Sequence, residues 1–196
     1  MANETVTLRK GDALLIVDVQ NDFLPGGSLA VPQGDAIVPV LNDYMQRFTA
    51  QGLPVYASRD WHPHEHCSFS TQGGPWPVHC VAGTPGADFA PGLRLPADTV
   101  VISKATTSDS DAYSAFQGTG LAQRLRNDGV QRLFVGGLAI DYCVRHTVLD
   151  ALDAGLQVFL LRDAIRAVDL HAGDGRRAEQ EMLDHGAVPI ELDQLQ

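Results

Sequence analysis

The feature that most constrains this chain is the run Ala13-Leu14-Leu15-Ile16-Val17. Five apolar residues in a row, with no polar face, predict a strand covered on both sides. An amphipathic helix is expected next, over Asp35–Gln51. Its apolar residues Ile37, Val40, Leu41, Tyr44, Met45 and Phe48 recur at helical spacing, Pro39 is tolerable in the first turn, and Gly52 is a stop. Leu53–Ser58 reads as a second strand. Strand, helix and strand in that order form the unit of a parallel sheet. The alternation continues through a strand at Asp98–Ser103, a short helix at Leu121–Asp128 and a strand at Gln131–Val135. A helix from near Asp141 to Gly155, a strand at Gln157–Leu161, a helix at His171–His185 and a strand at Ala187–Ile190 complete it. The expected fold class is α/β: a three-layer, Rossmann-like α-β-α arrangement around a six-stranded parallel sheet, in one domain over 1–196.

Composition narrows the functions such a fold can serve. The net charge of −10 argues against nucleic acid or an anionic membrane as partner. No apolar run reaches the ~18 residues of a membrane span. The segment Met1–Lys10 is polar and lacks the apolar core of a secretion signal. Three cysteines, Cys67, Cys80 and Cys143, do not make a disulfide framework, which points to a reducing, cytoplasmic setting.

Ligands of open parallel sheets bind beyond the C-terminal ends of the strands. Asp18 ends the first apolar run, Lys104 follows the third strand, and Cys143 follows the fourth across a glycine turn that begins at Gly136-Gly137. The strand-ends rule brings these three side chains to one edge. Cys143 is expected in the first turn of its helix, where free N–H groups and the helix dipole favour a thiolate and can receive an oxyanion. Asp18 can take the thiol proton and return it to a leaving amine, while Lys104 stabilises the thiolate. The plain alternative is a small core cysteine beside a capping carboxylate.

A second constellation lies between the second and third strands. The stretch of about 60–98 is long, rich in Gly and Pro and without periodicity, which in a compact domain usually marks function. Four of the seven histidines, His62, His64, His66 and His79, fall between Trp61 and Cys80. Asp60 and His62, two apart in an extended segment, face the same side, and His79 can close the set. One carboxylate and two imidazoles suit zinc, iron or manganese with positions left open. His66 is either a further ligand or a surface residue, and His64 and Glu65 read as surface residues. A solvated polar loop is the competing reading.

The segments Val17-Asp18-Val19-Gln20-Asn21-Asp22-Phe23, Arg59-Asp60-Trp61-His62-Pro63 and Trp76-Pro77-Val78-His79-Cys80-Val81 carry a resemblance over nearly the whole chain. To these add Lys104 with Asp111-Ala112-Tyr113-Ser114-Ala115-Phe116, and Gly137-Leu138-Ala139-Ile140-Asp141-Tyr142-Cys143-Val144. Together they resemble the nicotinamidase, or pyrazinamidase, branch of the isochorismatase-like cysteine hydrolases. The resemblance implies that fold and a catalytic group of Asp18, Lys104 and Cys143. It implies attack of Cys143 on the carboxamide of nicotinamide, loss of ammonia and hydrolysis of the thioester to nicotinate, within NAD salvage. It further implies one divalent metal on Asp60, His62 and His79, with zinc expected first and iron or manganese as alternatives. A cis bond between Leu138 and Ala139, an oxyanion site at the amides of Ala139 and Cys143, and a ring pocket of Phe23, Trp76 and Tyr113 also follow from it. His66 matches a histidine that binds metal in some relatives only. The chain departs from the family in having Ser103 and Ala105 around the lysine and Ile140 where many relatives have Thr.

The alternatives are another cysteine amidase acting on a carbamoyl or ureido compound, an isochorismate-cleaving enzyme, a hydrolase using metal-bound hydroxide, or a non-catalytic binding protein. The first lacks need of the metal set, and the second has no need of Cys143. The expected partner is the small-molecule substrate, with the chain a monomer or a homo-oligomer.

Overall fold

A computed structural model describes residues 5–196, so the first four residues of the polar segment Met1–Lys10 lie outside it. Six strands, β1 (Asp12–Val17), β2 (Val55–Asp60), β3 (Val100–Lys104), β4 (Arg132–Leu138), β5 (Gln157–Arg166) and β6 (Val188–Ile190), form one sheet in the order β3-β2-β1-β4-β5-β6. Every pairing is parallel. Among the described residues, four α-helices join them: α1 (Ile37–Ala50), α2 (Leu121–Asn127), α3 (Arg145–Asp153) and α4 (Asp174–Asp184).

The side chains of β1 alternate between two cores. Leu14 and Ile16 pack with Ile37, Leu41, Tyr44 and Phe48 of α1. Ala13, Leu15 and Val17 pack on the opposite face with Leu121 and Leu125 of α2, Val148 and Ala151 of α3, and Met182 of α4. That alternation makes the three layers, and it explains why β1 has no polar face. Each large apolar side chain so covered contributes about 1.5–3 kcal/mol.

The strand ends differ from expectation in ways that matter for the site. β2 extends through Asp60 and β3 through Lys104, and these two residues are register partners. They are therefore the last residues of strands rather than the first of loops. Expected as a turn, Gly136 and Gly137 instead lie inside β4. A Cβ on Gly137 would sit 2.1 Å from the Val17 carbonyl oxygen, so glycine there permits close approach to β1. β5 runs past Leu161 to Arg166, with its register to β4 shifted between Val135 and Gly137. A 3-10 turn, Gly34–Ala36, precedes α1, and α4 begins at Asp174 rather than His171.

β1 lies between β2 and β4, where the strand order reverses, and it stops short of both. Its last partners are Ser58 on β2 and Gly137 on β4. Asp18 then turns away with φ of +49°. The result is a notch at the switch point of the sheet.

Candidate active site and metal centre

Asp18, Lys104 and Cys143 meet beside this notch, all buried. Ser58 Oγ donates a 2.6 Å hydrogen bond to Asp18 Oδ1. Lys104 Nζ lies 2.9 Å from Asp18 Oδ2, 3.0 Å from the Ala112 carbonyl oxygen and 3.6 Å from Cys143 Sγ. It also contacts Asp60 Oδ1. One ammonium thus joins both constellations that the sequence suggested separately. Burial lowers the affinity of Lys104 for its proton, but Asp18, Asp60 and Cys143 outweigh it and hold the side chain charged.

Cys143 sits in a single π-helical turn, Ile140–Val144, closed by a 3.1 Å bond from the Val144 N–H to the Ala139 carbonyl. α3 begins only after it. The expectation of a thiolate favoured by a helix start is corrected here. Burial pushes the thiol well above its usual range, and Asp18 and Asp60 add to that against the pull of Lys104. A thiol held in this way needs a base to take its proton. Asp18 has its own affinity for a proton raised, by burial first and by Asp60, against Lys104 and the Ser58 hydroxyl. The Leu138–Ala139 peptide bond is cis.

Asp60, His62 and His79 bring ligand atoms within 4.8 Å of one another. His62 Nε2 is 3.6 Å and His79 Nε2 4.0 Å from Asp60 Oδ2. The other nitrogen of each ring is already used: His62 Nδ1 meets the Ala105 carbonyl at 3.1 Å, and His79 Nδ1 the Pro77 carbonyl at 2.8 Å. Those bonds make Nδ1 the donor and leave the Nε2 lone pair of each facing Asp60. His62 Nε2 is buried with no hydrogen-bond partner. A buried imidazole lone pair is costly unless something accepts it, so this donor set fits a divalent cation.

His66 stands apart from that set. Its Nδ1 pairs with Ser68 Oγ at 2.7 Å, its Nε2 with the Ser110 carbonyl at 3.1 Å, and its ring stacks on His62 at 4.1 Å. It is fully buried, so it is not a surface residue either. His64 and Glu65 are exposed. His146, one turn beyond Cys143, stacks on Tyr113 instead of the thiol.

Both constellations open into one mainly apolar cavity lined by Phe23, Trp76, Tyr113, Ala139 and Cys143, with Asp60, His62 and His79 at its wall. Trp76 Nε1 donates a 2.9 Å bond to the Tyr113 hydroxyl, which fixes two of the three expected ring-pocket residues against each other. Sequence reasoning missed Leu29, Val31, Tyr142 and Val168 in the lining. It also missed Asp141, whose carboxylate accepts the Val168 and Asp169 N–H groups at 3.0 and 2.8 Å and so holds the Val168 wall. An acid at the start of the Cys143 turn was the available signal.

This is the architecture of an α/β protein with a buried acid, lysine and cysteine at the switch point of a parallel sheet. Residues 12–194 match the isochorismatase domain, and the chain belongs to that family. It is 41% identical to a nicotinamidase of Escherichia coli (strain K12) over 196 residues, covering 89% of this chain and 92% of that one. Among solved structures, the pyrazinamidase of Pyrococcus horikoshii in complex with zinc superposes with a TM-score of 0.90 at 49% identity, covering 93% of this chain and 99% of that one. PnC1 of L. infantum in complex with nicotinate superposes with a TM-score of 0.89 at 40% identity, with 98% of each chain covered.

Proposed function

We propose that this protein is an amidohydrolase that converts nicotinamide to nicotinate and ammonia, in NAD salvage, and that it also accepts the near isostere pyrazinamide. The observation that carries this reading is the single ammonium of Lys104 touching both Asp18 and Asp60. It ties a cysteine nucleophile to a metal set within one mainly apolar cavity. The likeness to nicotinamidases supports the substrate.

In this reading Asp18 accepts the Cys143 proton as Sγ attacks the carboxamide carbon. The carbonyl oxygen becomes an oxyanion facing the amides of Ala139 and Cys143. The C–N bond then breaks, and Asp18 gives its proton to the leaving nitrogen, which departs as ammonia. Water, deprotonated by Asp18, attacks the thioester, releasing nicotinate and the Cys143 thiol. Lys104 keeps Asp18 oriented and offsets its charge throughout. Phe23, Trp76 and Tyr113 hold the ring. Asp60, His62 and His79 would hold one divalent metal, which supplies a Lewis-acid position for the ring nitrogen. The P. horikoshii complex supports zinc as that metal. We read the chain as one cytoplasmic domain over 1–196: Cys67, Cys80 and Cys143 are all free, and no described helix is long and apolar enough to cross a membrane.

Ammonia release from nicotinamide by the zinc-loaded protein tests the reading. Turnover that disappears in Cys143→Ala supports it. Turnover that survives that change points instead to metal-bound hydroxide.

A further inference from the structure

The segment after β1 contains polar residues that the reaction does not use, Gln20 and Asp22 among them. β1 ends at Val17, whereas β2 continues through Arg59 to Asp60. On its β1 side, Asp60 therefore has no strand partner for its main chain. Gln20, fully buried, supplies one. Its Oε1 accepts the Asp60 N–H at 2.8 Å, and its Nε2 donates to the Asp60 carbonyl at 2.8 Å and to the Ala87 carbonyl at 2.9 Å. A carboxamide offers an acceptor and two donors, and here all three are in use. The side chain acts as a detached peptide unit that extends the ladder to Asp60.

Asp22 does the corresponding work at His79. Its Oδ2 accepts the N–H of Cys80, the next residue, at 2.7 Å. Cys80 has φ of +46°, a conformation that a non-glycine residue adopts only when its surroundings hold it there. The Cys80 carbonyl in turn accepts the His62 N–H at 3.0 Å. Gly86 leaves room for the carboxylate, since a Cβ there would lie 2.1 Å from Asp22 Oδ2.

We propose that Gln20 and Asp22 are positioning residues of the metal centre, fixing the main chain at Asp60 and directly after His79 so that the three donors converge. This rests on the metal reading given above. Groups that orient ligands from behind typically change metal affinity by about 10–100-fold. Asp22 bonds to the Cys80 N–H, not to the Asp18, Asp60 and Lys104 groups that set the state of Cys143, so labelling of that thiol serves as the control for Asp22.

The test is zinc affinity, measured by competition between the zinc-loaded protein and a chromophoric chelator, for wild type, Asp22→Ala, Asp22→Asn and Gln20→Met. Labelling of Cys143 by iodoacetamide, read on its own peptide by mass, is followed in parallel. The expected result is zinc affinity at least tenfold weaker in Asp22→Ala. Most of it returns in Asp22→Asn, which keeps an acceptor oxygen, and the Cys143 labelling rate stays within twofold of wild type. Gln20 lies in the interior and its variant can fail to fold, but the half-buried Asp22 pair decides the matter alone. Zinc affinity within twofold of wild type in Asp22→Ala overturns the proposal, as does a loss of affinity that comes with altered Cys143 labelling. Wild-type protein that takes up no zinc overturns the metal reading itself, an outcome distinct from both.

Discussion

The two halves of the site are built by different means. Asp18, Lys104 and Cys143 sit at or just beyond the ends of β1, β3 and β4, and their placement follows from the pairing of a buried sheet. His62 and His79 sit in irregular chain between β2 and β3, placed by individual bonds such as His62 N–H to the Cys80 carbonyl and His79 Nδ1 to the Pro77 carbonyl. Only Asp60 belongs to both, as the last residue of β2 and the neighbour of Lys104. A sheet fixes many positions with few sequence choices, whereas a loop needs a specific side chain for each contact. The nucleophile half should therefore tolerate change in the loop, and the metal half should respond to single substitutions around it.

The sharpest break between the halves is Cys143→Ala. Ammonia release should fall by at least ~10³-fold, since the members of such a group fail together. Zinc content measured on the same protein should stay at the wild-type level. Equal loss of zinc would show that the halves are not separable. Lys104→Met removes the link between them and leaves Asp18 and Asp60 buried without their cation. Denaturant unfolding should show a loss of about 3–5 kcal/mol, and a variant as stable as wild type would mean that the ammonium is dispensable. His79→Ala should cost about 10²-fold in kcat/KM through misplacement of the ring, while iodoacetamide still labels Cys143.

The pH response separates a thiol from a thiolate. A free cysteine titrates near ~8.5, so its alkylation rate levels above that value. Burial holds the Cys143 proton to higher pH, so its labelling rate should still climb through pH 9. A group with a raised folded value contributes stability below its unfolded value and loses it as pH rises through the folded one. Cys143 thus also favours unfolding on the alkaline side. A rate already level at pH 8 would contradict the resting thiol. The smallest effect is expected for Trp76→Phe, which keeps the ring but removes the bond to Tyr113. A loss of about 1 kcal/mol, seen as a several-fold rise in KM for nicotinamide, is the expected size.

Much of the sheet half was legible in the sequence because apolar runs with an acid, a lysine or a glycine pair at their ends carry their own signal. The expected strand Ala13–Val17 lies inside β1, the expected strand Asp98–Ser103 overlaps β3 from Val100 to Ser103, and Asp18 and Lys104 follow from them. Boundaries were less legible. Arg59 and Asp60 look like loop residues by composition but are paired to Ser103 and Lys104 of β3. Gly136 and Gly137 look like a turn because close strand packing and chain reversal both call for glycine. In the loop half, Asp60, His62 and His79 stood out by residue type. The state of His66 did not, because its partners Ser68 and Ser110 are common residues with no periodic signal. Gln20 and Asp141 were hidden for a similar reason: each acts on main-chain atoms, which every residue shares. The thiol state of Cys143 depends on burial summed over many neighbours, a quantity no local stretch contains.

The early end of β1 has one more consequence. The crevice opens where a central strand ends before its two neighbours. A chain with the same helices and the same pairing, but with a first strand two residues longer, would place backbone where Asp18 now turns and where Gln20 now reaches across to Asp60. Because Phe23, Leu29 and Val31 follow that strand in the chain and line the cavity, a change in its length would move one wall together with the floor.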